Sequence, residues 1–593
     1  MPLLQYVYVL VLCLLSTAAL AASPAGVVAV SHPAAAAAGA RMLAEGGNAI
    51  DAAAAVQFAL NVVEPQSSGI GGGGFMMVYL AKTGETVIVD SRERAPAQAS
   101  ADMFAPDGLP IPFALASTSG LAVGVPGTLR GVDLALRRWG TKKLSSTLAP
   151  AIELAEHGFR VNRFLAEDIR LDSGRTQLQP ETAAIFRPGG VPLAEGDWLV
   201  QTDLAKTFKQ IAAKGPDAFY QGALARAIVQ AQQRARSELG AAGRGRMSLA
   251  DLAHYQPALR APLIGHYRGW TLAGMPPPSS GGLTVMQMLG MLEPYPLGDS
   301  AQGYGFGSPQ TLHLMIEAMR LAFADRAVWI GDDDTVPVPR LGLLHREYLA
   351  TRAALIQPGQ RMNTALAGDP TPWDKTAIPE KPARLPAESP HTTHFSIIDR
   401  WGNVVSYTST IEATWGSGIT VPGYGFLLNN ELTDFNFLPV TDSAADGAND
   451  VAPGKRPRSS MAPMMLFKDG RFVAAYGSPG GATIINSVLN VTLNLIDHGM
   501  TMQQAIAAPR LSVTHAAGKV SCEGGQDFMR PGLGIAAQDT LRQLGHVGLG
   551  DAGTQGCLGS IGSVQAVTIE PASGAAHGAA DPRREGTVIR VGP

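Results

Sequence analysis

The sequence predicts a compact α+β protein. Of its 593 residues, 46% are hydrophobic, and the 68 glycines and 42 prolines provide many tight turns. A disordered chain would be poor in apolar residues and rich in charge, so this chain is expected to fold. Segments with the apolar spacing of helices occur beside segments that alternate with period two, which indicates that helices and strands are both present.

The early elements are two helical segments followed by two strands. Residues 34–60 are alanine-rich and predict helix, interrupted at residues 46–48 (GGN). Residues 75–80 and 85–90 alternate as strands. The glycine run before them, residues 70–74 (IGGGG), lacks the Lys and the Ser or Thr that a phosphate-binding loop needs after its last glycine. Close backbone packing is therefore the favoured role of these glycines.

The middle of the chain is predicted to be helical and to end in a linker. Apolar spacing gives mostly helix over residues 121–355, broken by a proline-rich turn at residues 276–282 (PPPSSGG). Residues 357–390 are rich in Pro, Gly, Lys and Asp and lose apolar periodicity, which predicts an exposed linker.

A hairpin follows the linker directly. Residues 392–398 and 404–411 alternate as strands around a turn at residues 402–403 (GN). The hairpin therefore begins with Thr392. Further elements are predicted as strands at residues 425–428, 464–467, 472–476, 564–569 and 587–591, and as helices at residues 484–498 and 502–507.

The charge balance argues against a nucleic-acid-binding protein, and the N-terminal segment predicts an exported one. The 46 Lys and Arg residues nearly balance 49 Asp and Glu residues, so a nucleic-acid partner is not expected. Residues 6–15 form an apolar run too short to span a bilayer, and Ala19-Leu20-Ala21 matches a signal-peptidase site. We expect a signal peptide at residues 1–21, a periplasmic or secreted protein and no stable membrane span. The start of the chain lacks Lys and Arg, so a retained anchor is the alternative.

Removal of that signal would leave two cysteines, Cys522 and Cys557. In an exported chain they can pair as a disulfide, although two separate buried thiols explain the count almost as well.

The start of the hairpin is a candidate for a catalytic nucleophile. A threonine hydroxyl needs a base, and an α-amino group on the same residue suits because its pKa lies near neutrality. Such an amine requires a new N-terminus, which the hydroxyl of Thr392 would create by attacking the preceding carbonyl and forming an ester that water opens. Taken alone, a Thr after a loop is better explained by β propensity, so further motifs are needed.

Those motifs occur in order along the chain. They are residues 90–96 (DSRERAP), 392–396 (TTHFS), 429–435 (NNELTDF), 455–461 (KRPRSSM) and 477–481 (GSPGG). With them the sequence resembles the gamma-glutamyltranspeptidase family of N-terminal nucleophile (Ntn) hydrolases across essentially the whole mature chain.

The resemblance implies a four-layer αββα fold, with two mostly antiparallel sheets between helical layers. It implies that both fragments of a self-cleaved precursor build this fold, a large subunit of residues 22–391 and a small catalytic subunit of residues 392–593. Neither fragment is expected to fold properly alone. No metal or organic cofactor is implied.

The resemblance also implies roles around the nucleophile. Cleavage falls between His391 and Thr392, Thr392 then serves as nucleophile, and Thr410 orients it. The backbone N–H groups of Gly480 and Gly481 bind the oxyanion, because glycines let a backbone approach closely. An ordinary turn explains this loop equally well when it is taken alone.

Substrate recognition is implied at several further positions. Arg92 would bind the substrate α-carboxylate, since a guanidinium bonds both oxygens at once, with Arg94 as the neighbouring alternative. Ser459 and Ser460 would lie at the same carboxylate. Asp434 would receive the substrate ammonium.

Two positions that vary between amides and acids in the family are Glu412 and Glu431 here. With Asp434 they would place three carboxylates near one ammonium, and such groups raise one another's pKa unless a cation is present. A zwitterionic glutamyl head would supply that cation, whereas solvated surface glutamates are the alternative. The segment 436–458 carries no aromatic residue beyond Phe437, which predicts an open or partly covered cleft.

The activity implied is that of a gamma-glutamyltransferase and glutathione hydrolase. Thr392 would take the gamma-glutamyl group of glutathione or a related amide as an ester, and water or an amino-acid or peptide amine would release it. Two alternatives stay open: a related acylase acting on glutaryl β-lactams or poly-gamma-glutamate, and a non-catalytic periplasmic binding protein. Arg92, Asp434 and Ser459 favour an α-amino-acid head, and retention of Thr392 and Thr410 speaks against the binding protein.

Overall fold

The computed structural model describes residues 26–374, 391–440, 447–524, 533–554, 556–557 and 559–592. The expected signal peptide at residues 1–21 lies outside these ranges, as does the second part of the expected linker, residues 375–390. Within the described ranges, no helix combines the length and the apolar character that a bilayer crossing requires.

Within the described residues, the strands form two large antiparallel sheets and two short strand pairs. Their bounds are β1 (Gly26–Val30), β2 (Gly73–Leu80), β3 (Glu85–Asp90), β4 (Phe159–Arg160), β5 (Trp198–Leu199), β6 (Ala258–Arg260), β7 (Leu263–Tyr267), β8 (Trp270–Gly274), β9 (Thr393–Ile398), β10 (Val404–Thr410), β11 (Met464–Lys468), β12 (Arg471–Gly477), β13 (Leu511–Ser512), β14 (Ser521–Cys522), β15 (Gln565–Ile569), β16 (Ala576–Ala580) and β17 (Thr587–Val591). The first sheet has the order β17-β1-β9-β10-β2-β3-β6, and the second has the order β16-β15-β12-β11-β8-β7.

The helices lie mainly before the hairpin. Their bounds are α1 (Pro33–Ala44), α2 (Ala49–Val63), α3 (Phe113–Ser117), α4 (Thr128–Trp139), α5 (Leu144–His157), α6 (Arg163–Leu171), α7 (Ser173–Leu178), α8 (Pro180–Phe186), α9 (Thr202–Lys214), α10 (Asp217–Tyr220), α11 (Gly222–Arg234), α12 (Leu249–His254), α13 (Gly281–Leu292), α14 (Pro309–Trp329), α15 (Arg340–Leu343), α16 (Arg346–Ala353), α17 (Thr483–Ile496), α18 (Met502–Ala507) and α19 (Ile535–Gln543).

Alternate residues of the first sheet face two different cores. Val28 and Val30 of β1 pack in a core with helices α1 and α2. Val27 and Ala29 point the other way, into a core that includes β11, β12 and helices α13, α14 and α17. Because successive side chains of a strand point to opposite faces, the first sheet is buried between helices and the second sheet. The resulting order of helices, sheet, sheet and helices confirms the predicted αββα fold.

The hairpin and the glycine run agree with the sequence-based predictions. Strands β9 and β10 pair antiparallel, with Thr393 opposite Ser409. Strand β2 lies on the other side of β10, and a Cβ atom added to Gly72 would come within 2.1 Å of the carbonyl oxygen of Thr410. The glycine run therefore lets the backbone pack closely beside the end of β10.

Two predictions of secondary structure need correction, and one strand was not predicted. The strand expected at residues 425–428 is absent, since Leu427 and Leu428 make only isolated bridges and Gly425 has a φ of +72°. The mostly helical interpretation of residues 121–355 misses five strands. Strands β4 and β5 have only two residues each, too few to show a period. Strands β6, β7 and β8 are short and lie at or near sheet edges, so their exposed residues weaken the apolar pattern. Strand β1, buried on both faces, was not predicted either.

The two cysteines left open by the sequence are joined. Cys522 and Cys557 form a disulfide, with 4.7 Å between their Cα atoms, and both residues are buried. The pairing connects β14 to the segment that precedes β15.

Candidate active site

The proposed nucleophile lies where strand β9 begins and strand β10 ends. The chain is continuous from His391 to Thr392, so the geometry is that of the uncleaved precursor. The hydroxyl of Thr392 donates a hydrogen bond to the carbonyl oxygen of His391 at 2.7 Å and lies 3.3 Å from the Thr410 hydroxyl. Thr410 also donates to the His391 carbonyl oxygen, at 3.4 Å. Two threonine hydroxyls therefore converge on the peptide bond predicted to break.

The neighbouring Thr393 faces elsewhere. Its hydroxyl donates to Glu64 Oε2 at 3.0 Å and lies 3.2 Å from the hydroxyl of Ser31. The carbonyl oxygen of Thr392 accepts a hydrogen bond from Arg584 Nη1 at 3.1 Å. Of the two threonines at the junction, the one beside the His391 carbonyl is Thr392. Sequence reasoning overlooked Glu64 and Arg584, because they are far from the junction along the chain.

The loop before helix α17 contains two glycines with positive φ, Gly480 and Gly481. Gly480 and Gly481 have φ values of +133° and +55°, and a Cβ atom on Gly480 would approach Thr483 Oγ1 to 2.5 Å. The Gly480 carbonyl oxygen accepts from the backbone N–H of Thr483 at 3.1 Å and from its hydroxyl at 2.7 Å. Among the described residues, neither glycine N–H donates a hydrogen bond. Both remain available to an oxyanion.

One cavity gathers most of the residues singled out in the sequence. It is lined by Thr392, Thr410, Gly481, Arg92, Glu412, Glu431, Asp434, Ser459 and Ser460. Gly480 and His391 line a second, neighbouring cavity instead. The first cavity measures only about 20 Å³, because its charged side chains are in contact with one another. We call it the Arg92 cavity.

Arg92 is the central cation of this cavity. Its side chain is 1% exposed, its Nη2 lies 2.5 Å from Asp434 Oδ2, and its Nη1 pairs with Glu431. Burial alone would lower the pKa of Arg92, but the carboxylates of Glu431, Asp434 and Glu93 together raise it. Arg94 is half-buried and does not line the cavity. The geometry thus favours Arg92 over Arg94 as the substrate-binding arginine.

The two glutamates at the variable positions are not surface residues. Glu412 is 5% exposed and Glu431 is 1% exposed, which excludes the alternative of solvated surface glutamates. Burial raises the pKa of Glu412, and the nearby charges of Asp434 and Glu431 raise it further. The backbone N–H of Glu412 donates to Thr410 Oγ1 at 2.9 Å, with a φ of +75° at Glu412. This strained conformation links the carboxylate cluster to the end of β10.

A fourth carboxyl group, Glu93, was not identified from the sequence. It is fully buried, and neither of its carboxylate oxygens has a hydrogen-bond partner among the described residues. Its charge nevertheless acts on Glu431 and raises the pKa of that carboxyl. Burial raises the pKa of Glu93 to about 8, against the lowering effect of Arg92. Burial likewise raises the pKa of Glu431. The only signal in the sequence that could have indicated a role for Glu93 is its position next to Arg92.

The expected source of positive charge also needs amending. From the sequence, we expected the ammonium group of the substrate to be the cation that balances these carboxylates. In the structure Arg92 already pairs with Glu431 and Asp434. The charged head group of a substrate must therefore bind alongside these ion pairs or replace one partner in them.

The proline-rich turn at residues 276–282 fixes the serine pair, Ser459 and Ser460, through hydrogen bonds. The carbonyl oxygen of Ser459 accepts from the backbone N–H of Ser280 at 2.8 Å and from its hydroxyl at 2.7 Å. Arg326 of α14 donates to Ser460 Oγ at 2.7 Å and to Ser280 Oγ at 2.7 Å. The turn and α14 thereby fix both serines at the wall of the Arg92 cavity.

The segment expected to leave the cleft open is described only in part, since residues 441–446 lie outside the described ranges. The ring of Phe437 stacks on Phe104 with 4.6 Å between centroids. Asn449 Nδ2 donates to the carbonyl oxygen of Asp434 at 2.7 Å. The open or partly covered cleft stays a prediction.

One acidic cluster has the spacing of a metal site. Asp332, Asp333 and Asp334 bring carboxylate oxygens within 4.8 Å of one another. Arg260 contacts Asp333 at 3.3 Å and Asp334 at 2.7 Å, and Arg456 contacts Asp334 at 2.8 Å. Arginines thus already balance these charges, and the cluster lies outside the Arg92 cavity.

Comparison with known proteins gives matches along nearly the whole chain. A family profile described as Gamma-glutamyltranspeptidase matches residues 35–591. A glutathione hydrolase proenzyme of Bacillus subtilis (strain 168) is 45% identical over 571 residues, covering 95% of this chain and 91% of that protein. The acylase ACY 1 proenzyme of Pseudomonas sp. (strain SE83) is 39% identical over 574 residues, covering 95% and 93%. The crystal structure of cephalosporin acylase from Bacillus halodurans aligns with a TM-score of 0.80 at 28% identity, covering 96% of each chain.

Proposed function

The chain belongs to the gamma-glutamyltranspeptidase family, and from that membership we propose that it is a self-cleaving glutathione hydrolase and gamma-glutamyltransferase with Thr392 as its nucleophile. One observation carries the assignment of the nucleophile. The Thr392 hydroxyl lies 2.7 Å from the carbonyl oxygen of His391, in a cavity that Arg92 also lines.

Self-cleavage would begin at this contact. Thr392 Oγ1 attacks the carbonyl carbon of His391, the C–N bond to Thr392 breaks, and the hydroxyl proton passes to the departing nitrogen. Water then opens the resulting ester and leaves His391 as a new C-terminus. The hydroxyl of Thr410, 3.4 Å from the same carbonyl oxygen, would hydrogen-bond the oxygen as it gains charge.

Two subunits formed in this way would remain interlocked. Strands β9 and β10 of the small subunit lie between β1 and β2 of the large subunit in the first sheet. In the second sheet, β11 of the small subunit pairs with β8 of the large subunit. Each fragment alone would expose unpaired strand edges within a buried sheet, so we propose a stable heterodimer of residues 22–391 and 392–593.

The freed amine of Thr392 would serve as the base in turnover. An α-amino group has a pKa of about 7.7–8.0 and so accepts the hydroxyl proton near neutral pH. The hydroxyl oxygen then attacks the gamma-carbonyl carbon of the donor. The backbone N–H groups of Gly480 and Gly481 would bind the oxyanion, and a gamma-glutamyl ester forms on Thr392. Water or an amine releases the glutamyl group.

The head of the donor would be held through its two charges. Arg92, with Ser459 and Ser460, would bind the α-carboxylate, because a guanidinium donates two parallel hydrogen bonds to a carboxylate. Asp434 and Glu431 would turn from Arg92 to the substrate ammonium. The buried cluster has more carboxyl groups than cations, so a cationic group on the ligand improves its charge balance.

An acylase is the second candidate, since one relative is named an acylase proenzyme. A glutaryl group has the same chain length as a gamma-glutamyl group but no ammonium. It would add a further anion to the cluster of Glu412, Glu431 and Asp434, at a large electrostatic cost. The buried acids therefore favour the gamma-glutamyl donor.

The N-terminal segment supports one further proposal, that the protein is exported to the periplasm or secreted. The apolar run at residues 6–15, followed by Ala19-Leu20-Ala21, has the features of a signal peptide. N-terminal sequencing of the large subunit from its native host would test this, with residue 22 as the expected start.

The function itself is tested with purified protein. A denaturing gel should resolve two fragments, and Edman sequencing of the smaller one, 593 minus 391 or 202 residues long, should give Thr-Thr-His-Phe. The same preparation is then assayed with gamma-glutamyl-p-nitroanilide and glutaryl-p-nitroanilide. An active enzyme that runs as one intact band would disprove the nucleophile, and equal rates on both donors would favour the acylase.

A further inference from the structure

The disulfide between Cys522 and Cys557 joins two segments that both support the proposed oxyanion site. Cys522 ends strand β14, and Cys557 precedes residues 559–563, which lead toward β15. The two cysteines are 3% and 0% exposed. We call residues 477–481 the oxyanion loop. Both cysteines belong to the same hydrophobic core as helix α17, which begins directly after this loop.

Residues 559–563 pack against the oxyanion loop. The backbone N–H of Ser563 donates to Ser478 Oγ at 3.0 Å, and a Cβ atom added to Gly562 would collide with the same oxygen. A Cβ atom added to Gly480 would lie 3.5 Å from the Cα atom of Gly562. The two backbones are in direct contact, so a shift of residues 559–563 would also shift the oxyanion loop.

The segment that ends at Cys522 holds the helix that follows the oxyanion loop. Strand β14 pairs with β13, where Leu511 lies opposite Cys522. Asn490 Nδ2 of α17 donates to the carbonyl oxygen of Leu511 at 3.0 Å, and Asn486 Nδ2 donates to Ser512 Oγ at 2.7 Å. The strand pair therefore fixes α17, while residues on the other side of the disulfide fix the loop.

Hydrogen bonds also connect the two segments, but the disulfide is their covalent connection. The backbone N–H of Gly559 donates to the carbonyl oxygen of Cys522 at 3.2 Å, and that of Ile561 donates to Glu523 Oε1 at 2.7 Å. A single hydrogen bond adds little net stability, because water can satisfy the same groups when the segments separate. Loss of the covalent bond would therefore let the two segments move apart more easily.

Oxyanion binding is sensitive to such movement. The donor N–H groups must lie about 2.7–3.1 Å from the oxygen that becomes charged, and a displacement of about 1 Å can cost roughly 100-fold in rate. We propose that the Cys522–Cys557 disulfide positions the oxyanion loop, so that the mature enzyme reaches full turnover only in its oxidised form. Both cysteines are positioning residues, since neither lines the Arg92 cavity. The proposal rests on the gamma-glutamyl transfer proposed for Thr392.

This requirement would connect activity to the compartment in which the protein lies. The cytosol keeps thiols reduced through glutathione and thioredoxin, whereas disulfides persist after export. A dithiol that reduces the protein supplies two electrons and two protons: the S–S bond breaks, each cysteine sulfur becomes a thiol, and the dithiol closes to its own disulfide. The chain would therefore be a weak hydrolase before export and would gain full activity once the disulfide forms.

Reduction of the mature wild type tests the proposal. The cleaved enzyme is treated with dithiothreitol and freed of it by anaerobic gel filtration, and the gain of two free thiols is counted with 5,5′-dithiobis(2-nitrobenzoic acid) in denaturant. The kcat for gamma-glutamyl-p-nitroanilide should fall by about tenfold, because the oxyanion forms only during the reaction. The KM should change by less than about twofold, since the Arg92 cavity binds the donor head. Reoxidation with 2-hydroxyethyl disulfide should restore kcat.

Three variants provide a second, independent measurement. Cys522→Ala, Cys557→Ala and the double variant each remove the same bond, so all three should lose the same factor of about ten in kcat instead of additive amounts. None of them should lose further activity in dithiothreitol. Reduced wild type decides the question if the variants fail to self-cleave, and the variants decide it if the buried disulfide resists reduction.

Leu541→Ala controls for a general loss of stability. Leu541 of α19 is 0% exposed and belongs to the same hydrophobic core as the disulfide. Truncation of this side chain leaves a cavity and should lower the Tm. Measured well below its Tm, the kcat per cleaved molecule should stay within about twofold of wild type, because the change is remote from the oxyanion loop.

The outcomes separate this proposal from the function on which it rests. An oxidised wild type that turns over no gamma-glutamyl donor would refute the function, and this proposal with it. An unchanged kcat after full reduction, in an enzyme that is active when oxidised, would overturn the positioning role alone. A change confined to KM, or an equal loss of kcat in Leu541→Ala, would overturn it as well.

Discussion

The hydroxyl oxygens of Thr392 and Thr410 lie 3.3 Å apart, although 18 residues separate them in the chain. They meet because β9 and β10 pair antiparallel, from Ile398 opposite Val404 to Thr393 opposite Ser409. One hairpin thus brings the proposed nucleophile and its partner to the same carbonyl group.

Substitution at the two threonines should have unequal effects. Thr392→Ala should abolish both self-cleavage and turnover, because both need its hydroxyl. Thr410→Val should slow self-cleavage by roughly tenfold or more, because the carbonyl oxygen that gains charge loses a hydrogen bond. Thr410→Ser keeps the hydroxyl and should restore the rate of self-cleavage. Gel densitometry during incubation gives these rates. A greater loss in Thr393→Ala than in Thr392→Ala would move the nucleophile by one residue.

The glycine loop should be sensitive to a single methyl group. Gly480→Ala would force a Cβ atom to within 2.5 Å of Thr483 Oγ1 at a φ of +133°, displacing the N–H groups proposed to bind the oxyanion. We expect kcat to fall by about 100- to 1000-fold, as when an oxyanion donor is lost. Gly499→Ala is the control, with a φ of +61° and open space around it. A similar kcat in both variants would remove the loop from the mechanism.

Arg92 should not tolerate replacement by lysine. A single ammonium cannot reproduce the guanidinium contacts to Glu431 and Asp434 or bind both oxygens of a substrate carboxylate. Arg92→Lys should raise the KM for gamma-glutamyl-p-nitroanilide by more than about tenfold. Arg94→Lys, outside the cavity, should change it by less than about twofold. The reverse order of effects would transfer the carboxylate-binding role to Arg94.

Asp434 should determine which head group is preferred. Loss of one partner from a buried charged pair commonly costs about 2–5 kcal/mol, so wild type should favour the gamma-glutamyl over the glutaryl anilide by well over tenfold in kcat/KM. Asp434→Asn should shrink this preference, since the substrate ammonium loses its anion. An unchanged preference in the variant would mean that the ammonium binds elsewhere.

The carboxyl cluster should make donor binding depend on pH. Burial raises the pKa of Glu93 to about 8, and it also raises the pKa of Glu431, so the carboxyl cluster holds protons near neutrality. The substrate ammonium binds the ionised form of the carboxyl cluster. Below pH 8, donor binding must therefore release a proton from the cluster. The KM for the gamma-glutamyl anilide should consequently rise as the pH falls. The limit for one proton is about tenfold per pH unit.

The glutaryl anilide provides the comparison for that measurement. It carries no ammonium, so its KM should not rise in the same way as pH falls. Titration of the Thr392 amine affects both donors equally and cancels from their ratio. Parallel KM profiles from pH 6 to pH 9 would show that the acids do not receive a substrate cation.

The sequence by itself determined the features that depend on neighbouring residues. Alternation with period two located the hairpin at residues 392–411, and the motifs that resemble the gamma-glutamyltranspeptidase family predicted the junction before Thr392. The motif around Gly480 identified a loop that needs glycine. Such signals are local, because strand periodicity and backbone conformation depend on residues close together in the chain.

The tertiary structure decided which charged groups meet. Arg92 pairs with Glu431 and Asp434 across 339 and 342 residues of sequence, and no periodic pattern records such a contact. The raised pKa of Glu93 results from its burial, which only the packed layers provide. The contact of Arg584 with Thr392 likewise exists only because β17 begins close to that end of the first sheet. Distance and burial determine electrostatic interactions, and both are properties of the folded chain.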